Sequence, residues 1–186
     1  MIDFNLWKKV LTSPVDAFKK AGTLSDGLMH IVVAGLISGF ISGLAVMLGF
    51  SKAGLSTGLG IAGFVGALIG TPIMFVIGTL IVSVILLVFA KLLSGKGDYG
   101  TQTYCLALYG APLSIILTIA GLIPIIGALL SALVALYSLY LLTIALRQTH
   151  QYTIARAVLT WLIPTVVLGL LVFVMVGNLL LTMMRF

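Results

Sequence analysis

Residues 101–146 read TQTYCLALYGAPLSIILTIAGLIPIIGALLSALVALYSLYLLTIAL, and not one of them carries a formal charge. Two predominantly apolar runs of about 20 residues, each long enough to cross a bilayer as a helix, meet at Gly121-Leu122-Ile123-Pro124. So short a connection makes the two helices antiparallel neighbours. A stretch of this length and composition would not stay dispersed in water, so lipid is its solvent.

The same reading extends outward. Apolar runs cover residues 27–50, 59–93 and 157–184, and with 101–122 and 125–146 they predict an all-α bundle of five transmembrane helices. The run 59–93 is too long for one untilted span. Its first half is dense in glycine and is punctuated by Thr71-Pro72. It reads either as one long helix kinked near Pro72, or as a short piece followed by a span that Thr71 caps and Pro72 begins. Each reading makes one crossing. Of the 186 residues 61% are hydrophobic and 8% charged, against about a quarter charged in a soluble domain. Residues 27–186 form one transmembrane domain, and no polar stretch is long enough for a second.

Ten Lys and Arg face four Asp and no Glu, for a net charge of +6. The basic residues sit in short clusters beside apolar runs, which is a topology signal and not a nucleic-acid surface. With the N-terminus in the cytoplasm, the inner segments hold Lys8, Lys9, Lys19, Lys20, Lys91, Lys96, Arg147 and Arg156, and the outer ones only Lys52 and Arg185. That bias requires an odd number of spans. The N-terminus has no signal-peptide core, since Lys8 and Lys9 are followed by Pro14, Asp16, Lys19 and Lys20. Residues 1–26 read as a cytoplasmic interfacial segment: Trp7, Val10, Leu11, Pro14 and Phe18 approximate a helical stripe, with Lys8, Lys9, Lys19 and Lys20 at the membrane surface. Ser13 is expected to cap the second of two short helices.

Catalysis needs a convergent nucleophile, base and charge stabiliser, or a metal cage. No Glu, no Asp inside a span, two separated His and the single Cys105 supply neither, so no catalytic residue, metal site or cofactor is expected. His30 and His150 are expected to be interfacial or solvated. Gly35, Gly39 and Gly43 recur every fourth residue, as do Ala62, Gly66 and Gly70. Such spacing lets helix backbones approach closely where lipid removes the hydrophobic drive, within the chain or toward a second copy or another membrane protein. Tyr104, Tyr109, Gly110 and Pro112 in the third span face Tyr137 and Tyr140 in the fourth. Pro112 frees a backbone carbonyl, so this set reads as aromatic packing around a kink or as a transport path.

The stretch 97–157, with Tyr104, Tyr109-Gly110-Ala111-Pro112, Ile123-Pro124-Ile125-Ile126-Gly127, Leu136-Tyr137-Ser138-Leu139-Tyr140 and His150 through Arg156-Ala157, resembles the Yip (Ypt-interacting protein) domain family. The resemblance implies a five-span fold and a non-enzymatic scaffold or adaptor in membrane organisation or trafficking. Eukaryotic members partner prenylated Rab-type GTPases and one another. Their Asp-Leu-Tyr-Gly-Pro motif is missing here. The corresponding Leu11-Thr12-Ser13-Pro14-Val15-Asp16-Ala17-Phe18 looks like compact prokaryotic members, which speaks against GTPase binding and implies the plasma membrane of a prokaryote. The competing expectation is a small-solute or ion permease with a path near the Pro112 break.

Overall fold

Thr23 opens the first long helix. Its hydroxyl accepts the Asp26 N–H at 3.2 Å while the Asp26 carboxylate accepts the Thr23 N–H at 3.1 Å, so two amides that a helix start leaves unpaired are satisfied reciprocally. The chain is seen in a computed structural model that describes residues 3–20, 22–49 and 60–183. Two short helices, α1 (Phe4–Thr12) and α2 (Pro14–Phe18), precede five long ones: α3 (Leu24–Met47), α4 (Gly60–Leu92), α5 (Tyr99–Gly121), α6 (Ile126–His150) and α7 (Ile154–Met183). All five are long and apolar enough to cross a membrane, and the described residues form no strand. The connector at 51–58 with Lys52, the ends drawn at 50, 59 and 184, and Arg185 lie outside the described residues.

The long glycine-rich run is one helix. α4 passes through Pro72 without a break, so Thr71 starts nothing. The reason lies opposite: a side chain on Gly35 would run into the Pro72 ring and backbone, so α3 and α4 close at the proline. Further along, a Cβ on Gly39 would sit 2.6 Å from the Ala67 carbonyl oxygen, and one on Gly43 2.9 Å from the Phe64 ring. Pro112 and Pro164 likewise lie inside continuous helices.

α5 is the centre of the bundle. Gln102 through Leu108 are all buried, enclosed by α3, α4 and α6 with α1 on one flank. The turn after Gly121 is tight: a side chain on Gly127 would strike the Ala120 carbonyl, which keeps α5 and α6 in contact from their first turn. α6 continues through Arg147 to His150 and ends at Gln151 in the left-handed region (φ 54°). The connection to α7 is therefore shorter than the loop drawn at 147–156.

The α1–α2 hairpin packs on the bundle. Trp7, Val10, Pro14 and Phe18 are buried while Lys8, Lys9, Lys19 and Lys20 are exposed. The apolar stripe faces α5 and α6, and the lysines face away. Ser13 makes no side-chain cap to α2; Pro14 at its first turn and a backbone bond from Ala17 to Ser13 start it instead.

The hairpin is pinned where Tyr137 donates its hydroxyl to the Leu11 carbonyl at 2.6 Å. Tyr137→Phe removes that bond and leaves the carbonyl half-buried, a loss of about 1 kcal/mol. The expected result is faster proteolysis between α1 and α3 with the melting of the long helices little changed.

Candidate functional site

Two places gather polar side chains. The first joins four long helices at the end where α4 gives way to α5 and α6 to α7. The Gly97 N–H donates to His150 Nδ1 at 3.1 Å, so that nitrogen is the acceptor and Nε2 carries the hydrogen. Nε2 then donates to Gln102 Oε1 at 2.8 Å. The Gln102 amide donates to the Ser83 carbonyl at 2.7 Å and to Ser83 Oγ at 3.1 Å. Ser83 and Thr103 hydroxyls lie 2.6 Å apart, and Thr103 donates on to the Tyr99 carbonyl at 2.7 Å. Every donor runs one way, from the Gly97 loop through α6 and α5 to α4, where Ser83 donates to Thr103 and the chain ends at the Tyr99 carbonyl of α5. A neutral imidazole is the only form that completes the chain, because a second ring N–H would face the Gly97 N–H.

α7 is tied in through Tyr152. Its ring stacks on His150 at 5.4 Å between centroids, and its hydroxyl meets Thr160 Oγ1 at 2.7 Å. Trp161 donates to Thr143 of α6 at 3.0 Å. The loop at Gly95 and Gly97 lies flat on α6, since a Cβ on Gly97 would sit 2.6 Å from the Thr149 carbonyl oxygen. His150 is thus fully buried, not solvated. The reading as a loop residue missed that α6 runs one turn further and carries the ring inward. His30 is buried as well, because Trp7 of the docked hairpin donates to its Nδ1 at 2.9 Å and covers it. Gln102, Ser83, Thr103 and Tyr152 were not anticipated. The available signal was a Gln-Thr pair one turn inside a span, where an amide needs a partner.

Asp98 caps α5, its carboxylate accepting the Thr101 N–H at 3.0 Å and the Thr101 hydroxyl at 2.7 Å. Those bonds hold the carboxyl below its ordinary value. A lowered carboxyl stabilises the fold above its unfolded value, and that contribution disappears as pH falls through its folded value. Asp98→Ala should cost about 0.5 kcal/mol at neutral pH, at the low end of capping losses because solvent reaches the group. The difference from the parent should vanish in strong acid; unfolding in detergent at the two pH values checks it.

The second place is the middle of α5. Tyr109 meets Phe18 edge to face at 6.4 Å, and Tyr104 meets His30 at 6.3 Å. Tyr137 stacks on Tyr140 at 5.8 Å, and Tyr140 is half exposed. Tyr109 and Tyr137 both border the core of Leu113, Val134 and Leu141, whereas Tyr104 turns to α3. Gly110 approaches Ile31, Pro112 is buried, and Pro124 lies exposed at the hairpin tip. Between α3, α4 and α5 lies a cavity of about 320 Å³ bordered by Phe75, Gly78, Thr79, Tyr109, Gly110 and Ser114. Gly66 and Gly70 face outward: no described residue lies within 4 Å of where a Cβ on either would sit. Among the described residues no three His, Cys, Asp or Glu are grouped to hold a metal.

A family model described as the Yip1 domain matches residues 8–176, most of the chain and part or all of each span. No curated protein and no solved structure matches the chain significantly.

Proposed function

The chain belongs to the Yip1 domain family, and we propose that this multi-pass integral membrane protein is a non-catalytic scaffold that docks another membrane protein on the outer face of α4. The observation that carries the reading is the contrast between two glycine sets. Gly35, Gly39 and Gly43 are used up inside the chain, with α4 closed on them, whereas Gly66 and Gly70 lie on a highly apolar helix where no described residue comes within 4 Å of an added Cβ. A groove of small residues admits a second backbone closely, which is how helices associate in lipid.

In this reading the N-terminus and the loops at 93–98 and 151–153 face the cytoplasm, as the excess of Lys and Arg on that side supports. In this reading the membrane is the plasma membrane of a prokaryote, in keeping with the lack of an Asp-Leu-Tyr-Gly-Pro motif. A Rab-type GTPase is not the expected partner, because that motif is missing. Lys8, Lys9, Lys19 and Lys20, all exposed on the hairpin, lie toward anionic headgroups. The test is affinity capture from native membranes with the parent and with Gly66→Leu or Gly70→Leu. A protein co-purified by the parent and lost from both variants supports docking; identical partner sets count against it.

A second reading is favoured by the cavity beside Gly110 and Tyr109, which Thr79 of α4 and Ser114 of α5 also line. It makes the protein a small-solute permease. Uptake by sealed proteoliposomes that Gly110→Leu abolishes would support it, and tight vesicles for every tested ion and solute would remove it.

A further inference from the structure

The loops that the His150 chain locks together also build a cavity of about 720 Å³ on the outside of the bundle. Lys96 comes from the α4–α5 loop, Arg147 from the last turn of α6 and Arg156 from the first turn of α7; Ser94, Gln151 and Thr153 complete the polar lining. None of the lining residues is acidic. The nearest loop carboxylate, Asp98, is spent on the Thr101 cap, and the ion pair seen among the described residues, Lys19 with Asp16, is on the far hairpin.

Three cations from three elements without a counter-charge repel one another, and flexible side chains on loose loops would swing apart into solvent. Here the supports are fixed. The Lys96 N–H donates to the His150 carbonyl at 3.2 Å beside the Gly97 bond to the same residue's ring. Ser94 and Gln151 both hold the left-handed conformation, at φ 66° and 54°, which sets the loop exits. Apolar side chains are exposed at the cavity edge: Ile154 in its lining is 52% exposed, and Leu92, four residues before Lys96, is 73% exposed. Apolar side chains at that level belong in hydrocarbon, so the cations stand where headgroups begin.

We infer that this cavity is a site for the phosphate of an anionic lipid headgroup, gripped by Lys96, Arg147 and Arg156. Guanidinium groups suit phosphate oxygens through paired N–H donors, and the Ser94 and Thr153 hydroxyls add neutral ones. The site is separate from the α4 groove and stands whether the bundle gathers a partner or passes a solute.

The test uses the purified full-length protein in detergent, offered equal amounts of phosphatidylglycerol and phosphatidylcholine, with retained lipid read by native mass spectrometry. Phosphatidylglycerol should be retained preferentially. A triple variant, Lys96→Gln, Arg147→Gln and Arg156→Gln, should lose at least about tenfold of that retention, with its melting temperature checked first. Arg156→Gln alone, an exposed position, is the second variant and should show a smaller loss in the same direction. The control variant Lys8→Gln, Lys9→Gln, Lys19→Gln and Lys20→Gln removes only the diffuse headgroup attraction of the hairpin and should lose less retention than the triple variant. Equal retention of the two lipids, loss confined to the control variant, or displacement of the lipid by excess inorganic phosphate would each overturn the assignment, the last by making the ligand a free anion.

Discussion

Gly39→Leu is expected to cost about 3 kcal/mol or more, lowering the melting temperature in mild detergent by roughly 6–12 °C. The group that a new side chain would meet is the Ala67 carbonyl with the Leu68 backbone behind it. Neither is the end of a flexible side chain, so accommodation requires α3 and α4 to separate. The two pack along most of their shared length, and separation at Gly39 also lifts Gly35 off Pro72 and Gly43 off Phe64. Gly66→Leu and Gly70→Leu are the matched comparison. They add the same atoms to the same kind of helix but meet none of the described residues, and glycine's helical penalty of about 0.5–1 kcal/mol is relieved. These two should melt at or slightly above the parent temperature. Equal destabilisation by all three would mean that Gly66 and Gly70 of α4 are packed as closely as Gly39 of α3.

His150→Leu is the second large effect. Volume is nearly kept, so the loss comes from the polar groups left behind: the Gly97 N–H and Gln102 Oε1 lose their partner in a buried place. Each orphaned group costs about 1–3 kcal/mol, giving roughly 2–6 kcal/mol for the two before the lost stacking on Tyr152 is added. The double variant His150→Leu with Gln102→Leu should be milder than the sum of its parts, because it removes an acceptor that the single variant strands. Thermal unfolding of the four proteins in one double-mutant cycle gives that coupling. A sum that is simply additive would show that the chain from Gly97 to Ser83 is not a unit.

The spans were legible because each is a long apolar run and the turn at Gly121 to Pro124 is short; α5 and α6 follow from that alone. The fate of Pro72 was not. A Thr-Pro step reads locally as a helix start, and only the partner glycine on α3 shows why the helix goes on. The ends of α3 and α6 were missed for a related reason. Thr23 and Asp26 cap a turn earlier than the apolar run begins, and Arg147 to His150 are polar residues that α6 carries on as helix. Treating those four as loop hid the His150 chain, whose members are far apart in sequence and polar for packing reasons. The amphipathic stripe of the N-terminal hairpin was legible; the face it covers was not, because a stripe of Trp7, Val10 and Phe18 suits a protein surface as well as lipid.

The central claim is that the outer face of α4 docks another protein, and a photoreactive residue placed at Gly70 in native membranes tests it most directly. The account predicts one reproducible protein adduct by mass spectrometry, lost when Gly66→Leu is added and unaffected by a probe position on the exposed face of α7 such as Phe173. Lipid adducts alone at Gly70, or protein adducts of the same kind at both positions, would contradict it.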